Sequence, residues 1–278
     1  AYEYQGDPVL RPDANGIVYV VKGLHGNGSS WKNAVGEVSV ALKLAKTNSN
    51  VKQVWVAKGT YYPLYGAGMT PDGRHNTFLL AEGVSLYGGF KGTETSLSQR
   101  TGILTGNKTI LSGDIGVRDQ KSDNSYHVVT AVGINRAVPF SESPVFDGFV
   151  VEQGNADGDG QTFIPGFGGE QYGVNEGFGG GFFIHTSLID IQNVSFESNS
   201  AQHGGGALFS LTARQKVSGV AFTGNRADKN GGAVSASGTL DISGCSFASN
   251  EAGEDGGALN ADQNAVLTID ACTFSGNI

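Results

Sequence analysis

The sequence has little charge, little sulfur and no long apolar run. Only 16% of its 278 residues are charged, against a usual ~25%, too few to lace long solvated helices. Two cysteines, Cys245 and Cys272, cannot form a disulfide framework. With 7 prolines and no period of three among its 44 glycines, the chain is not collagen-like. No stretch approaches the ~20 apolar residues of a membrane-spanning helix. No Lys/Arg cluster relieves a formal net charge of -8, so the field repels polyanions, and neither nucleic acid nor an anionic membrane surface is an expected partner. The histidines His25, His75, His127, His185 and His203 are scattered, with no HExxH or CxxC spacing, and no GxSxG nucleophile elbow is present. The chain starts at Ala1 without a charged and apolar leader, so any signal peptide is already removed or omitted.

Glycine, by contrast, is about twice its usual frequency, and much of it falls in a repeat. FESNSAQHGGGAL begins at Phe196, FTGNRADKNGGAV at Phe222, FASNEAGEDGGAL at Phe247 and FSGNI at Phe274. The phenylalanines are 26, 25 and 27 residues apart, with Asn199, Asn225, Asn250 and Asn277 three positions after them. Apolar residues before each phenylalanine alternate with period two, as in Leu240 and Ile242 or Leu267 and Ile269, the signature of short strands. A unit this short cannot bury its own apolar face, so like residues must stack on neighbouring coils at roughly 4.8 Å. The four phenylalanines are then an internal row and the asparagines a ladder at a turn, a place where asparagine tolerates left-handed backbone. Each Gly-Gly pair supplies a turn with positive φ. Cys245 and Cys272 stand where earlier copies have Val194 and Val220, so they should stack inward; free thiols suit that place better than a disulfide with an awkward dihedral.

The pattern FxxN followed by GGA[LV] resembles the repeat of the chlamydial-type polymorphic outer membrane proteins, over about residues 179–278. The segments GNGSSW from Gly26, VWVAKGTYYP from Val54 and VSLYGGFKGTETSLSQR from Val84 are similar to the start of secreted bacterial β-helix proteins of the pectin-lyase-like superfamily. The resemblance implies an all-β fold, a single-stranded right-handed parallel β-helix, and a secreted or surface protein of the adhesin type. It leaves activity open, since that superfamily holds lyases, hydrolases and non-catalytic proteins.

Along the chain, residues 1–16 read as an exposed leader, 17–22 as a first strand, and NAVGEVSVALKLAK (33–46) as a helix with Val35, Val38, Leu42 and Ala45 on one face, an N-terminal cap for the coil stack. Residues 1–53 therefore form the entry and 54–278 the coils, with strands near 54–58, 78–80, 84–90, 109–112, 127–132 and 145–151. FDGFVVEQGNA from Phe146 resembles the later repeats and places Asn155 in the ladder. About 23 residues, 156–178, are then inserted. The sequence stops after Asn277 and Ile278, before the next GGA strand, so the repeat is expected to continue, with an anchoring or sorting module further on.

The insertion holds the best binding candidates, Phe163, Phe167, Tyr172 and Phe178, whose rings could stack on sugars or a protein partner; the plainer alternative is a satellite core laid over the coil. Asp157 and Asp159 have a calcium-loop spacing, but Gly168 stands where a closing glutamate belongs, and a glycine turn with solvated acids accounts for them as well. A lyase needs clustered acids beside a basic residue; Asp241, Asp270, Glu197 and Asp228 do not read as one groove, and Arg214 and Lys216 fall between GGAL and the next strand. The residues therefore point first to a non-catalytic surface scaffold that binds carbohydrate or a host or cell-surface protein, without a cofactor. Second comes a polysaccharide lyase or glycoside hydrolase working in a groove, and third a structural stalk.

Overall fold

The computed structural model describes residues 8–134, 143–166 and 169–278. Three parallel sheets dominate it. The eight-stranded sheet takes Ile17–Val20, Gln53–Ala57, Ser85–Phe90, Val145–Asp147, Leu188–Gln192, Arg214–Ser218, Thr239–Ser243 and Val266–Asp270, side by side in that order. The seven-stranded sheet takes Gly59–Tyr61, Thr109–Ser112, Phe149–Glu152, Ser195–Glu197, Ala221–Thr223, Ser246–Ala248 and Thr273–Ser275. The six-stranded sheet takes Phe78–Leu79, Val129–Val132, Phe182–His185, Leu208–Leu211, Val234–Ala236 and Leu259–Ala261. From Gln53 on, the chain visits these sheets in the same order each time, one strand per sheet per coil, as a β-helix solenoid does. The strand Gly59–Tyr61 was not anticipated, because a three-residue segment is too short to show a period.

The repeat pairs in register as its spacing demands. Phe196, Phe222, Phe247 and Phe274 are direct cross-strand partners, their rings stacked at centroid separations of 5.3, 4.7 and 4.7 Å and within 8° of parallel. Beside them the asparagines form a continuous ladder. Asn225 Oδ1 accepts the backbone N–H and the side-chain amide of Asn199, while Asn225 Nδ2 donates to Phe196 O and Asn250 Oδ1. Asn250 and Asn277 repeat the arrangement. Left-handed backbone falls one residue earlier than expected, at Ser198, Gly224, Ser249 and Gly276, so the asparagine is chosen for its amide, which satisfies groups buried from water. Glycine at the Gly-Gly pair has two reasons. Gly231 has φ +65°, and a Cβ on Gly232 would lie 2.2 Å from Gly257 O.

Asn155 does not belong to the ladder. Phe196 pairs with Val151, so the ladder place in that coil is Gly154, whose N–H donates to Asn199 Oδ1, and Asn155 pairs with Ser200 instead. Val151 stands in the phenylalanine row, and the ladder place three residues after it is Gly154, one residue before Asn155. Cys245 and Cys272 are free and adjacent, with Cys245 N–H 3.4 Å from Cys272 Sγ; burial pushes the Cys245 thiol up to about 11.

The helix spans only Val38–Ala45, after a 3-10 turn at Trp31–Asn33. Val35 is held extended by bonds to Tyr19 O and Val21 N–H, which prevents an earlier start. The helix packs on the first two strands and on Phe78–Leu79, and Ile17–Val20 is already hydrogen-bonded into the eight-stranded sheet. In the entry segment Leu10 is buried and Arg11 N–H bonds Asn27 O, which ties down its described part, while Val9 stays 79% exposed. Outside the sheet, Tyr19, Trp31, Trp55 and Phe90 form an aromatic cluster, which gives the GNGSSW and VWV segments a packing role. Trp31 Nε1 donates to Glu94 O, and the Glu94 carboxylate accepts the N–H groups of Lys91, Gly92 and Thr93.

Candidate functional site

Between the seven- and six-stranded sheets the connections change length along the stack. They are short in the regular repeats, at 198–207, 224–233 and 249–258, but long in the earlier coils, at 62–77, 113–128 and 153–181. Because the coils stack, these three long connections emerge at one corner. Arg74 joins them: its Nε donates to Asn124 O at 2.7 Å, its Nη2 to Asn155 O and Asp157 Oδ1, and its guanidinium lies 4.1 Å from the Tyr126 ring centre. Next to it His75 Nε2 is 3.0 Å from Glu176 Oε1. Replacing Arg74 by Ala should therefore loosen the corner without unwinding the repeats. Hydrogen exchange is expected to speed up by about tenfold or more, a loss of roughly 1–3 kcal/mol, in residues 113–126 and 155–176. The strands from Ser195 to Ala248 should remain unchanged; equal acceleration in both would contradict the assigned role.

Under this corner lies His127, buried, with Nδ1–H donating to Gly179 O at 3.1 Å. Its Nε2 has no partner among the described residues and borders a cavity of about 20 Å³ lined also by His75, Thr130 and Glu176, room for about one water. Burial holds the His127 imidazolium down to about 4. The unfolded chain, with an ordinary histidine near 6.5, thus takes up a proton before the folded one. Stability from this group is complete above pH 6.5 and falls as pH drops toward 4, by about 3 kcal/mol. Denaturant titrations of the wild type and a His127→Leu variant should show this difference in slope over that window, and parallel profiles would refute it.

Most of the insertion is an antiparallel hairpin, Gln161–Pro165 with Gln171–Asn175. Its pleat decides the fate of the aromatic candidates. Ile164, Tyr172 and Val174 turn inward onto Leu79, Val132, Phe183 and Phe209 of the six-stranded sheet, and Phe178 packs at the edge of the same cluster. Tyr172 lies over Gly133, where a Cβ would approach its ring to 2.6 Å, and His185 Nδ1–H donates to Gly173 O. Phe163, one residue out of phase, is 61% exposed. Phe167 lies outside the described residues. Asp157 accepts from Arg74 and from Asn155 Nδ2, while Asp159 is exposed. Among the described residues no group of three or more His, Cys, Asp or Glu is arranged to hold a metal.

A cleft of about 620 Å³ opens between the first two long connections, walled by Tyr62, Pro63, Leu64, Tyr65 and Pro71 on one side and by Asp114, Ile115, Gly116 and Arg118 on the other, with Asn76. Reading the sequence missed it. The motif TYYP marked one wall, but nothing in a single sequence says that residues 62–76 and 114–118 face each other. Below the cleft, Glu152 is the cross-strand partner of Ser112 and Glu197; burial and then the Glu197 charge hold its carboxyl above the usual range.

Of the four acids weighed from the sequence, Glu197 lies in the seven-stranded sheet, Asp228 lies between strands, and Asp241 and Asp270 lie out of register in the eight-stranded sheet; an acid not weighed there, Asp190, has a basic neighbour. Arg214 and Lys216 lie within a strand, and Lys216 stands in register between Asp190 and Asp241 on the eight-stranded sheet. Asp270 pairs with Ser243, and Asp228 meets Arg226 at 3.3 Å.

The fold and this corner define a repeat protein of stacked parallel strands whose irregular early coils carry a loop-built cleft. Residues 193–211 and 219–237 match the family model of the Chlamydia polymorphic membrane protein repeat, a repeat of a surface-exposed outer membrane protein family. Both segments run from just before a repeat phenylalanine to the strand after its glycine pair, so the match covers the phenylalanine, ladder asparagine and glycine pair but not the strand of the eight-stranded sheet. No curated protein and no solved structure matches the chain. No described helix is long and apolar enough to cross a membrane.

Proposed function

We propose that this chain is an exported or cell-surface, right-handed β-helix, capped at its N-terminal end by the helix Val38–Ala45. In this reading it is non-catalytic and displays the loop corner to bind carbohydrate or a cell-surface protein. The observation that carries the reading is the convergence of the three long connections on one corner, with a cleft between the first two. Binding loops on a rigid stack are how such scaffolds acquire function without altering their repeats. The matched repeat supports a surface location. Phe163, projecting from the hairpin beside this corner, adds an exposed aromatic contact, and no cofactor is required; calcium at Asp157 and Asp159 would compete with Arg74 for the first carboxylate.

One observation favours a second reading. The row of Asp190, Lys216 and Asp241 places a lysine in register between two aspartates on adjacent strands, a combination that lyase chemistry on an acidic polysaccharide could use. Retention of the purified chain on immobilised polysaccharides and on intact cells, with reducing ends measured after long incubation, separates the readings. Retention without new ends supports the binding scaffold. New ends that vanish in a Lys216→Ala variant would transfer the function to the row, and neither retention nor new ends would leave a stalk.

A further inference from the structure

We infer that the cleft between the first two long connections is a subsite for a neutral oligosaccharide, an assignment that rests on the binding-scaffold reading and gives it a ligand class. Three features carry it. The hollow, about 620 Å³, lies within the size range of small-ligand sites, roughly 300–1,000 Å³. Its wall presents the Tyr62 ring, backed by Tyr65, which is buried with Lys43 Nζ 4.6 Å from its ring centre. Flat aromatic faces of this kind take up the apolar C–H face of a sugar ring.

The third feature is a set of polar groups with unspent bonding capacity. Both Asp114 oxygens accept the same Asp119 N–H, which leaves most of their lone pairs for a ligand. Asn76 Oδ1 accepts the Asp72 N–H, and its NH2 group makes no bond among the described residues. Arg118 is exposed and enters no ion pair among them. A carboxylate, an amide and a guanidinium around aromatic walls match vicinal hydroxyls, which donate and accept in pairs. The carboxylate and the guanidinium also cancel, so the cleft carries no net attraction for an anion, and the chain's charge of -8 opposes a uronate. An extended peptide would seek open strand edges, and the cleft walls are loops.

Isothermal titration of the full chain with four probes tests this: mannotetraose, cellotetraose, tetragalacturonate and a proline-rich decapeptide. The expected result is binding of a neutral tetrasaccharide that weakens by about tenfold or more in Tyr62→Ala and in Asp114→Asn, with Tyr62→Phe within about threefold of wild type. Asparagine at 114 keeps an acceptor for Asp119 N–H, so that variant should fold, and its melting temperature checks this. Neutral-sugar binding indifferent to these variants, or preference for tetragalacturonate or for the peptide, overturns the assignment. So does silence from all four. If the chain is nevertheless retained on cells or polysaccharides, only the cleft assignment fails; if that retention is also missing, the binding-scaffold reading fails with it.

Discussion

Replacing Phe222 by Ala is expected to lower the unfolding free energy by about 3–5 kcal/mol. Phe222 is fully buried and sandwiched between Phe196 and Phe247 at 5.3 and 4.7 Å. The coils cannot close the resulting cavity, because their spacing is set by backbone bonds between strands and by the asparagine ladder next to the row. Both the transfer and the cavity terms therefore apply. Phe274 provides the comparison: it stacks on one side only and is 49% exposed, so its alanine variant should lose less than half as much. Urea titration of both variants is the measurement, and a loss below about 1 kcal/mol at Phe222 would remove the row from the core.

Arg100→Ala should be comparably damaging, about 3–5 kcal/mol, for an electrostatic reason. Arg100 Nη2 meets Asp147 Oδ2 at 2.6 Å with both side chains almost wholly buried, and its Nη1 donates to Gly88 O. The guanidinium also lies 5.6 and 5.4 Å from the Tyr87 and Phe90 ring centres. Without it, Asp147 keeps among the described residues only the amide of Asn193 and becomes a buried charge with no counter-ion among them. A second change, Asp147→Asn, removes that charge, so the double variant should be more stable than Arg100→Ala alone. If the double variant is instead less stable by the sum of the two single losses, the pair is not coupled.

The two predictions differ in how visible their residues were. The phenylalanine and asparagine rows were legible because a stacked fold repeats the same chemical requirement every coil, and that repetition writes a period into the chain. The early coils lack it: Val151 fills the phenylalanine place and Gly154 the asparagine place, and this substitution hid the register that Asn155 was assigned to. In the insertion, four aromatics looked alike, yet the pleat of the hairpin separates exposed Phe163 from inward Tyr172. Composition cannot express that distinction.

By itself the sequence determined the stack: a ~25-residue period, alternation of apolar residues, glycine pairs and ladder amides leave parallel coils as the consistent solution. Tertiary structure decided the rest. Arg74 reaches Asn155, Arg100 reaches Asp147, and Tyr62 shares a cleft with Asp114 because winding sets different coils side by side. Such proximity depends on where each irregular coil turns, and no local propensity or period records it.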